Sequence, residues 1–176
     1  MNLLEGFTRR ETIALIGTTS NRLQYLERAE LIIPKRIGIS KKPTVLYTWE
    51  QILEIRAIKN LRQEVSLQTI KKIIYFLDKE GCNDNHLINK QLIVINDDVF
   101  WIKNDWSDVP SVIKIVSKKG KDGGQYVLLV IPALIQVVKE IWEAAEKSSE
   151  IDFESFKQRA KASADIHRLC VRKAWN

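Results

Sequence analysis

Phe7-Thr-Arg-Arg-Glu-Thr-Ile-Ala-Leu-Ile-Gly17, then Thr18-Thr-Ser-Asn-Arg-Leu-Gln-Tyr-Leu-Glu-Arg28, then Ala29-Glu-Leu-Ile-Ile-Pro-Lys-Arg36 read as two short helices around a glycine turn, followed by a proline-marked exit into a basic loop. Thr8 stands at an N-cap position, and Glu11 three residues later completes a Thr-x-x-Glu capping box. Phe7 before the cap is placed for a staple-like contact on Thr12 or Ile13, and Ile13, Ala14 and Ile16 are expected to form a buried stripe. After Gly17, either Thr18 or Thr19 can cap a second helix running to about Arg28. Leu23, Leu26 and Ala29 then face inward, leaving Ser20, Asn21, Arg22, Gln24 and Tyr25 at its outer, N-terminal part. Such side chains bond base edges or phosphates: Arg to guanine, Asn or Gln to adenine, hydroxyls to either. The pattern is that of a helix-turn-helix that presents one helix to the major groove of DNA.

Pro34 prevents the chain from continuing as helix. The segment Lys35-Arg-Ile-Gly-Ile-Ser-Lys-Lys-Pro43 forms a basic loop between Ile32-Ile33 and Val45-Leu46-Tyr47, which predicts a small hairpin, or wing. Lys35, Arg36, Lys41 and Lys42 on it are placed to grip phosphates, adding affinity and salt dependence but little base preference. Arg9, at the start of the first helix, and Thr19 complete the set of candidate DNA-contacting residues. Thr48 with Gln51 opens a third helix burying Ile52, Ile55, Ile58 and Leu61. Ser66 opens a fourth, burying Leu67, Ile70, Ile73, Ile74 and Leu77, with Lys71 and Lys72 outside.

Charge agrees with this placement. The chain has 176 residues and a formal net charge of +6. Residues 1–80 hold 14 Lys/Arg against 9 Asp/Glu, a net +5, and residues 81–176 hold 14 against 13, a net +1. Attraction to a polyanion therefore concentrates in the helix-turn-helix half. No apolar run approaches the ~20 residues needed to span a bilayer, and no basic-then-apolar leader opens the chain, so a cytoplasmic, nucleoid-associated location is expected. Cys82 and Cys170 are far apart, and no ligand cluster points to zinc or another cofactor.

Residues 7–77 resemble the DNA-binding head of MerR-type transcription regulators. The matching pieces are Phe7-Thr8-x-x-Glu11, Gly17, Leu23-x-Tyr25-x-Glu27, Leu31-Ile32-x-Pro34-x-Arg36, Tyr47-Thr48, and Ile58-x-x-Leu61-Arg62-x-x-x-Ser66-Leu67-x-x-Ile70-Lys71. The resemblance implies a dimer on a pseudo-palindromic operator, with the second helix reading the groove and the wing contacting phosphates. Three positions depart from the family: Gln24 replaces a usual Arg, Glu30 a usual Gly, and Val45 a usual wing Arg.

The second half departs from the long coiled-coil helix usual after such heads. Gly81-Cys-Asn-Asp-Asn breaks the fourth helix, and Gln91–Ile95 and Val99–Ile102 read as strands around an Asn96-Asp97-Asp98 turn. Val112–Val116, a Lys118–Gly124 loop and Tyr126–Ile131 repeat that plan, giving two hairpins of a small antiparallel sheet. Pro132 fits the first turn of a helix bearing Leu134, Val137, Val138, Ile141 and Ala145 on one face, expected to cover the sheet or a partner. A last helix, roughly Asp152 to Ala174, carries Phe153, Phe156, Ala160, Ala164, Ile166 and Leu169. The expected class is α+β, with a winged head at 1–80 and an α+β dimerisation domain at 81–176. Leu134, Val138, Ile141, Phe153, Phe156, Ile166 and Leu169 are the candidate dimer contacts. The layout also resembles the compact MerR-type repressors of cyanobacterial type V-K CRISPR-associated transposons.

Enzymatic chemistry has little support. His86 and His167 are not tied by spacing to a nucleophile or a carboxylate, and Lys118-Lys-Gly-Lys-Asp-Gly-Gly lacks the spacing of a phosphate loop. Trp101, Trp106 and Trp142 suit core or interface packing better than a small-molecule pocket, and no effector is evident. The expected partners are double-stranded DNA and a second copy of the chain. Rival readings are an excisionase-like DNA-bending protein, an adaptor whose basic head docks an acidic partner, and a ligand-responsive activator.

Overall fold

A computed structural model describes residues 6–39, 43–80, 87, 91–95, 98–103, 111–116, 129–130 and 134–162. The chain divides into two compact units. One is Met1–Ile55 with Val138–Asn176, and the other is Arg56–Val137. This division does not coincide with a boundary at residue 80, because the first unit is built from both ends of the sequence.

In the first unit, β1 (Phe7–Thr8) leads into α1 (Arg9–Ile16), then α2 (Ser20–Arg28), β2 (Lys35–Ile37) and β3 (Thr44–Tyr47). The Thr8 capping box is complete: Thr8 Oγ1 accepts from the Glu11 amide at 3.3 Å, and the Thr8 amide donates to Glu11 Oε2 at 2.8 Å. Gly17 ends α1 at φ 62°, a conformation that costs little only without a Cβ. Thr19, rather than Thr18, caps α2 by accepting from the Arg22 amide. The buried face of α1 is Thr12, Leu15 and Ile16, one phase away from the expected Ile13 and Ala14, which are half-buried. Phe7 packs on the aromatic rings of Trp49 and Phe156. On α2, Leu23 and Leu26 are buried as expected.

The wing strands begin after Pro34, at Lys35 rather than Ile32, and pair as Lys35↔Leu46 and Ile37↔Thr44. An unanticipated strand completes this sheet, in the order β1-β3-β2: Phe7 pairs with Tyr47 and Thr8 with Leu46. The segment before the capping box thus belongs to the wing's sheet, which ties the start of α1 to β3.

α2 ends in a Schellman arrangement, with the Leu31 amide donating to the Leu26 carbonyl and the Glu30 amide to the Glu27 carbonyl, both at 3.0 Å. This places Glu30 at φ 58°. A left-handed residue with a Cβ costs on the order of 1–3 kcal/mol, which exceeds the entropic penalty of a glycine at about 0.5–1 kcal/mol. Glu30→Gly is therefore expected to raise unfolding stability by roughly 0.5–1 kcal/mol. Chemical denaturation reads this directly, and a midpoint unchanged or lowered would refute the strain.

α3 (Trp49–Leu61) starts at a second reciprocal cap, Thr48 with Gln51, at 3.1 and 3.2 Å. Ile52, Ile55, Ile58 and Leu61 are buried, as the helical spacing predicts.

In the second unit, Ser66 caps α4 (Leu67–Lys79), which buries Ile70, Ile73, Ile74 and Leu77 and exposes Lys71 and Lys72. Four strands follow: β4 (Gln91–Ile95), β5 (Asp98–Lys103), β6 (Ser111–Val116) and β7 (Leu129–Val130). Their order, β6-β5-β4-β7, corrects the expectation of a second hairpin, since β7 pairs with β4 and not with β6. Asp98 is part of β5 rather than of the turn. α4 packs on this sheet, and Phe76 meets Trp101 edge-on at 6.5 Å.

α5 (Leu134–Lys147) and α6, helical over residues 153–162, return the chain to the first unit. Asp152 caps α6, accepting from the Ser155 amide at 2.6 Å. There Phe156 is ringed by Phe7, Trp49, Trp142 and Phe153, with centroid distances of 5.0 to 6.0 Å. The carboxy-terminal helices complete the core of the unit that contains α1 and α2. Among the described residues, no helix is long and apolar enough to cross a membrane.

Candidate nucleic-acid interface

The alternation along α2 sorts its side chains cleanly. Leu23 and Leu26 are within 5% of full burial, while Thr19, Asn21, Arg22, Gln24 and Tyr25 are exposed and Ser20 is half-buried. Because Thr19 caps α2 and the helix begins at Ser20, these polar side chains occupy its cap and first two turns. One exposed helix face thus carries amide, guanidinium and phenol groups, each matched to base edges or phosphate oxygens.

Beside this face lies a carboxylate hub. Glu27 Oε1 accepts from Arg9 Nη2 and from the Tyr47 hydroxyl, each at 2.5 Å, while Oε2 lies 3.3 Å from Arg36 Nη2. The Glu27 side chain is only 9% exposed, against 24% for Arg9 and 59% for Arg36. One acid thereby links α1, α2, β2 and β3. Burial, and then the bond to Glu27, pushes the Tyr47 phenol well above its ordinary pKa, so it serves as a fixed donor. Tyr47 and Trp49 are core residues, whereas Tyr25 is half exposed on the outer face. Arg9 and Arg36, read from sequence as DNA contacts, are held by Glu27, although Arg36 keeps most of its surface open to solvent.

The wing exposes Lys35 and Arg36, and with them Ile33, Ile37 and Ile39, which sequence reasoning had not marked as surface. Ile33 is positioned through its backbone, whose carbonyl accepts from Gln51 Nε2 at 2.7 Å. Lys41 and Lys42 lie outside the described residues, as do His86, His167, both cysteines, Trp106, the Lys118–Gly124 loop, Ala164, Ile166 and Leu169.

Two residues that join the elements of this unit, Glu27 and Arg159, have no role in the sequence reading. Glu27 carried a signal: an acid in the last turn of a helix faces the negative end of the helix dipole and needs a cationic partner to be comfortable there. Arg159 carried none, since its partner Glu11 is 148 residues away. Arg159 Nη2 donates to Glu11 Oε1 at 2.6 Å and Nη1 to the Gly6 carbonyl at 2.7 Å. Burial alone would push the Glu11 carboxyl up, but the bonds from Arg159 and then Thr8 outweigh it and hold the group below its ordinary pKa. Among the proposed dimer contacts, Ile141 and Phe156 are fully buried in the protomer's own core, and Val138 and Phe153 are half-buried. The side chain of Leu134 lies outside the described set.

Residues 7–79 match the family model described as MerR HTH family regulatory protein. This segment is similar to the head of MerR-type regulators. It covers β1 through α4, so the two capped helices, the wing and the supporting helix pair all fall inside the match. The chain therefore carries the DNA-binding head of a transcription regulator. No curated protein matches the chain. Among the described residues, no group of three His, Cys, Asp or Glu side chains is arranged to hold a metal ion.

Proposed function

We propose that the protein is a sequence-specific transcription regulator acting as a dimeric repressor on a pseudo-palindromic operator, with α2 in the major groove and the wing on the flanking backbone. The observation that carries this reading is the outward display of Asn21, Arg22, Gln24 and Tyr25 over a buried Leu23 and Leu26. A protein-docking adaptor would have little use for this set of base-reading groups beside a cationic wing. The amino-terminal excess of positive charge supports the same partner. Repression without a small effector is favoured by the chain's layout, in which the long coiled-coil helix usual after MerR-type heads is replaced by a sheet and helices that rejoin the head's core. The likeness in layout to transposon-associated MerR-type repressors supports genes of a CRISPR-associated transposon as the regulated set.

Base reading and backbone gripping separate by salt. Arg22→Ala is expected to lose about 1–3 kcal/mol on the preferred duplex and to relax the choice at one base pair. Lys42→Ala is expected to weaken preferred and scrambled duplexes alike and to reduce the log–log salt slope by about 0.9. Mobility shifts at several salt concentrations test both, and identical behaviour of the two variants would contradict the assignment. Bending of the duplex without any effect on a reporter promoter would favour the excisionase-like alternative.

A further inference from the structure

We propose that Arg159 is a positioning residue for DNA binding, reaching from the carboxy-terminal helix to hold α1 and, through α1, the exposed face of α2. The proposal rests on the DNA-binding reading above. Arg159 on α6 meets the amino-terminal turn of α1 and the segment leading into it, at Glu11, Gly6 and Phe7. Its Nη2 donates to Glu11 Oε1 at 2.6 Å, its Nη1 donates to the Gly6 carbonyl at 2.7 Å, and its guanidinium lies 4.4 Å from the centre of the Phe7 ring. A second bond of Nη1, to Glu11 Oε2 at 3.2 Å, makes the pair bidentate. Gly6 itself is held close to β3, where an added Cβ would lie 2.9 Å from the Tyr47 carbonyl oxygen.

The same turn of α1 transmits that hold. Glu11 closes the capping box on Thr8, and Arg9, two residues before it, donates to Glu27 on α2. A displacement of the α1 N-terminus therefore moves Arg9 and the Glu27 hub, and with them the angle at which α2 presents Asn21, Arg22 and Gln24. Arg159 does not itself contact phosphate in this arrangement, because its side chain is 8% exposed and faces a carboxylate that is 17% exposed. Arg10, the neighbour of Glu11, adds a solvent-exposed ion pair with Glu150, which contributes little by itself. The reading unit is thus gripped by a segment some 150 residues away in sequence, outside the family match.

The test uses the full chain and a duplex selected by the wild type from a randomised pool, with a scrambled duplex of equal length as reference. Arg159→Ala, Arg159→Lys and the charge-swapped pair Glu11→Arg with Arg159→Glu are compared at a temperature where thermal melts show each protein folded. The expected result for Arg159→Ala is a loss of about tenfold or more in the ratio of selected to scrambled affinity, comparable with losing one base contact. The salt slope should be unchanged, and the lysine variant should recover part of the ratio. A purely structural role would lower both affinities together through the folded fraction and leave the ratio intact, which overturns the proposal. A slope reduced by about one charge would make Arg159 a phosphate contact, which also overturns it. If Arg159→Ala does not fold, the folded lysine variant decides through the same ratio. A wild type that selects no duplex defeats the DNA reading itself, a failure distinct from variants that bind as the wild type does.

Discussion

Phe156→Ala is expected to cost about 3–5 kcal/mol of unfolding stability, the range for emptying a buried phenylalanine site. Phe156 is fully buried at the meeting point of Phe7, Trp49, Trp142 and Phe153, and its closest ring, Trp142, lies 5.0 Å away edge-on. Truncation removes the transfer energy of the ring and leaves a cavity walled by aromatic groups too large to collapse into it. It also cancels edge-to-face contacts worth about 0.5–1.5 kcal/mol each beyond area burial. For a chain of this size the melting temperature should fall by roughly 6–20 °C. Protein concentration discriminates the alternative. If Phe156 were a dimer contact, the loss would shrink as concentration rises and the dimer is restored by mass action. For a residue in the protomer's own core it should be the same across a hundredfold dilution series, and a concentration-dependent loss would sink that assignment.

The second large effect is at Glu27. Glu27→Ala removes the acceptor shared by Arg9, Tyr47 and Arg36. Breaking a buried pair by deleting one partner costs about 3–5 kcal/mol, but Arg36 is mostly in solvent and Arg9 partly so, which lowers the expectation to roughly 2–3 kcal/mol. The stranded groups explain why the effect stays large. The Tyr47 hydroxyl belongs to a fully buried residue, and Arg9 would keep its charge beside the α1–α2 joint without a counter-ion. Tyr47→Phe should be milder, at about 1 kcal/mol, because it removes donor and cost together. A double-mutant cycle across Glu27 and Tyr47 should return a coupling of about 1 kcal/mol or more. Additive behaviour would show that the two side chains do not act as one unit.

The legible and illegible parts of this fold divide by range. Thr8 with Glu11, Thr48 with Gln51, and Ser66 announce helix starts because a cap is decided within three residues. Leu23 and Leu26, and Ile70, Ile73, Ile74 and Leu77, announce buried faces because helical periodicity needs no partner to be visible. The exposed face of α2 follows from the same periodicity. The phase of α1 was misread because a helix of two turns offers too few positions to choose between neighbouring stripes. β1 was missed because a two-residue strand exists only by pairing with Tyr47 and Leu46. The pairing of β7 with β4 rather than β6 was equally hidden, since a continuous apolar run such as Val127–Ile131 fits either neighbour.

By itself, then, the sequence determined the capped helices, the polar face of α2, the cationic wing and the family likeness of residues 7–77. All of these are local, encoded by residues a few positions apart. Only the tertiary structure decided that Phe156 and Ile141 belong to the protomer's interior, that Glu27 gathers three donors, and that Arg159 clasps Glu11. The contacts of Arg159 with Glu11 and Gly6 join residues 148 and 153 positions apart, and an apolar or charged side chain does not reveal in sequence which distant surface will desolvate it.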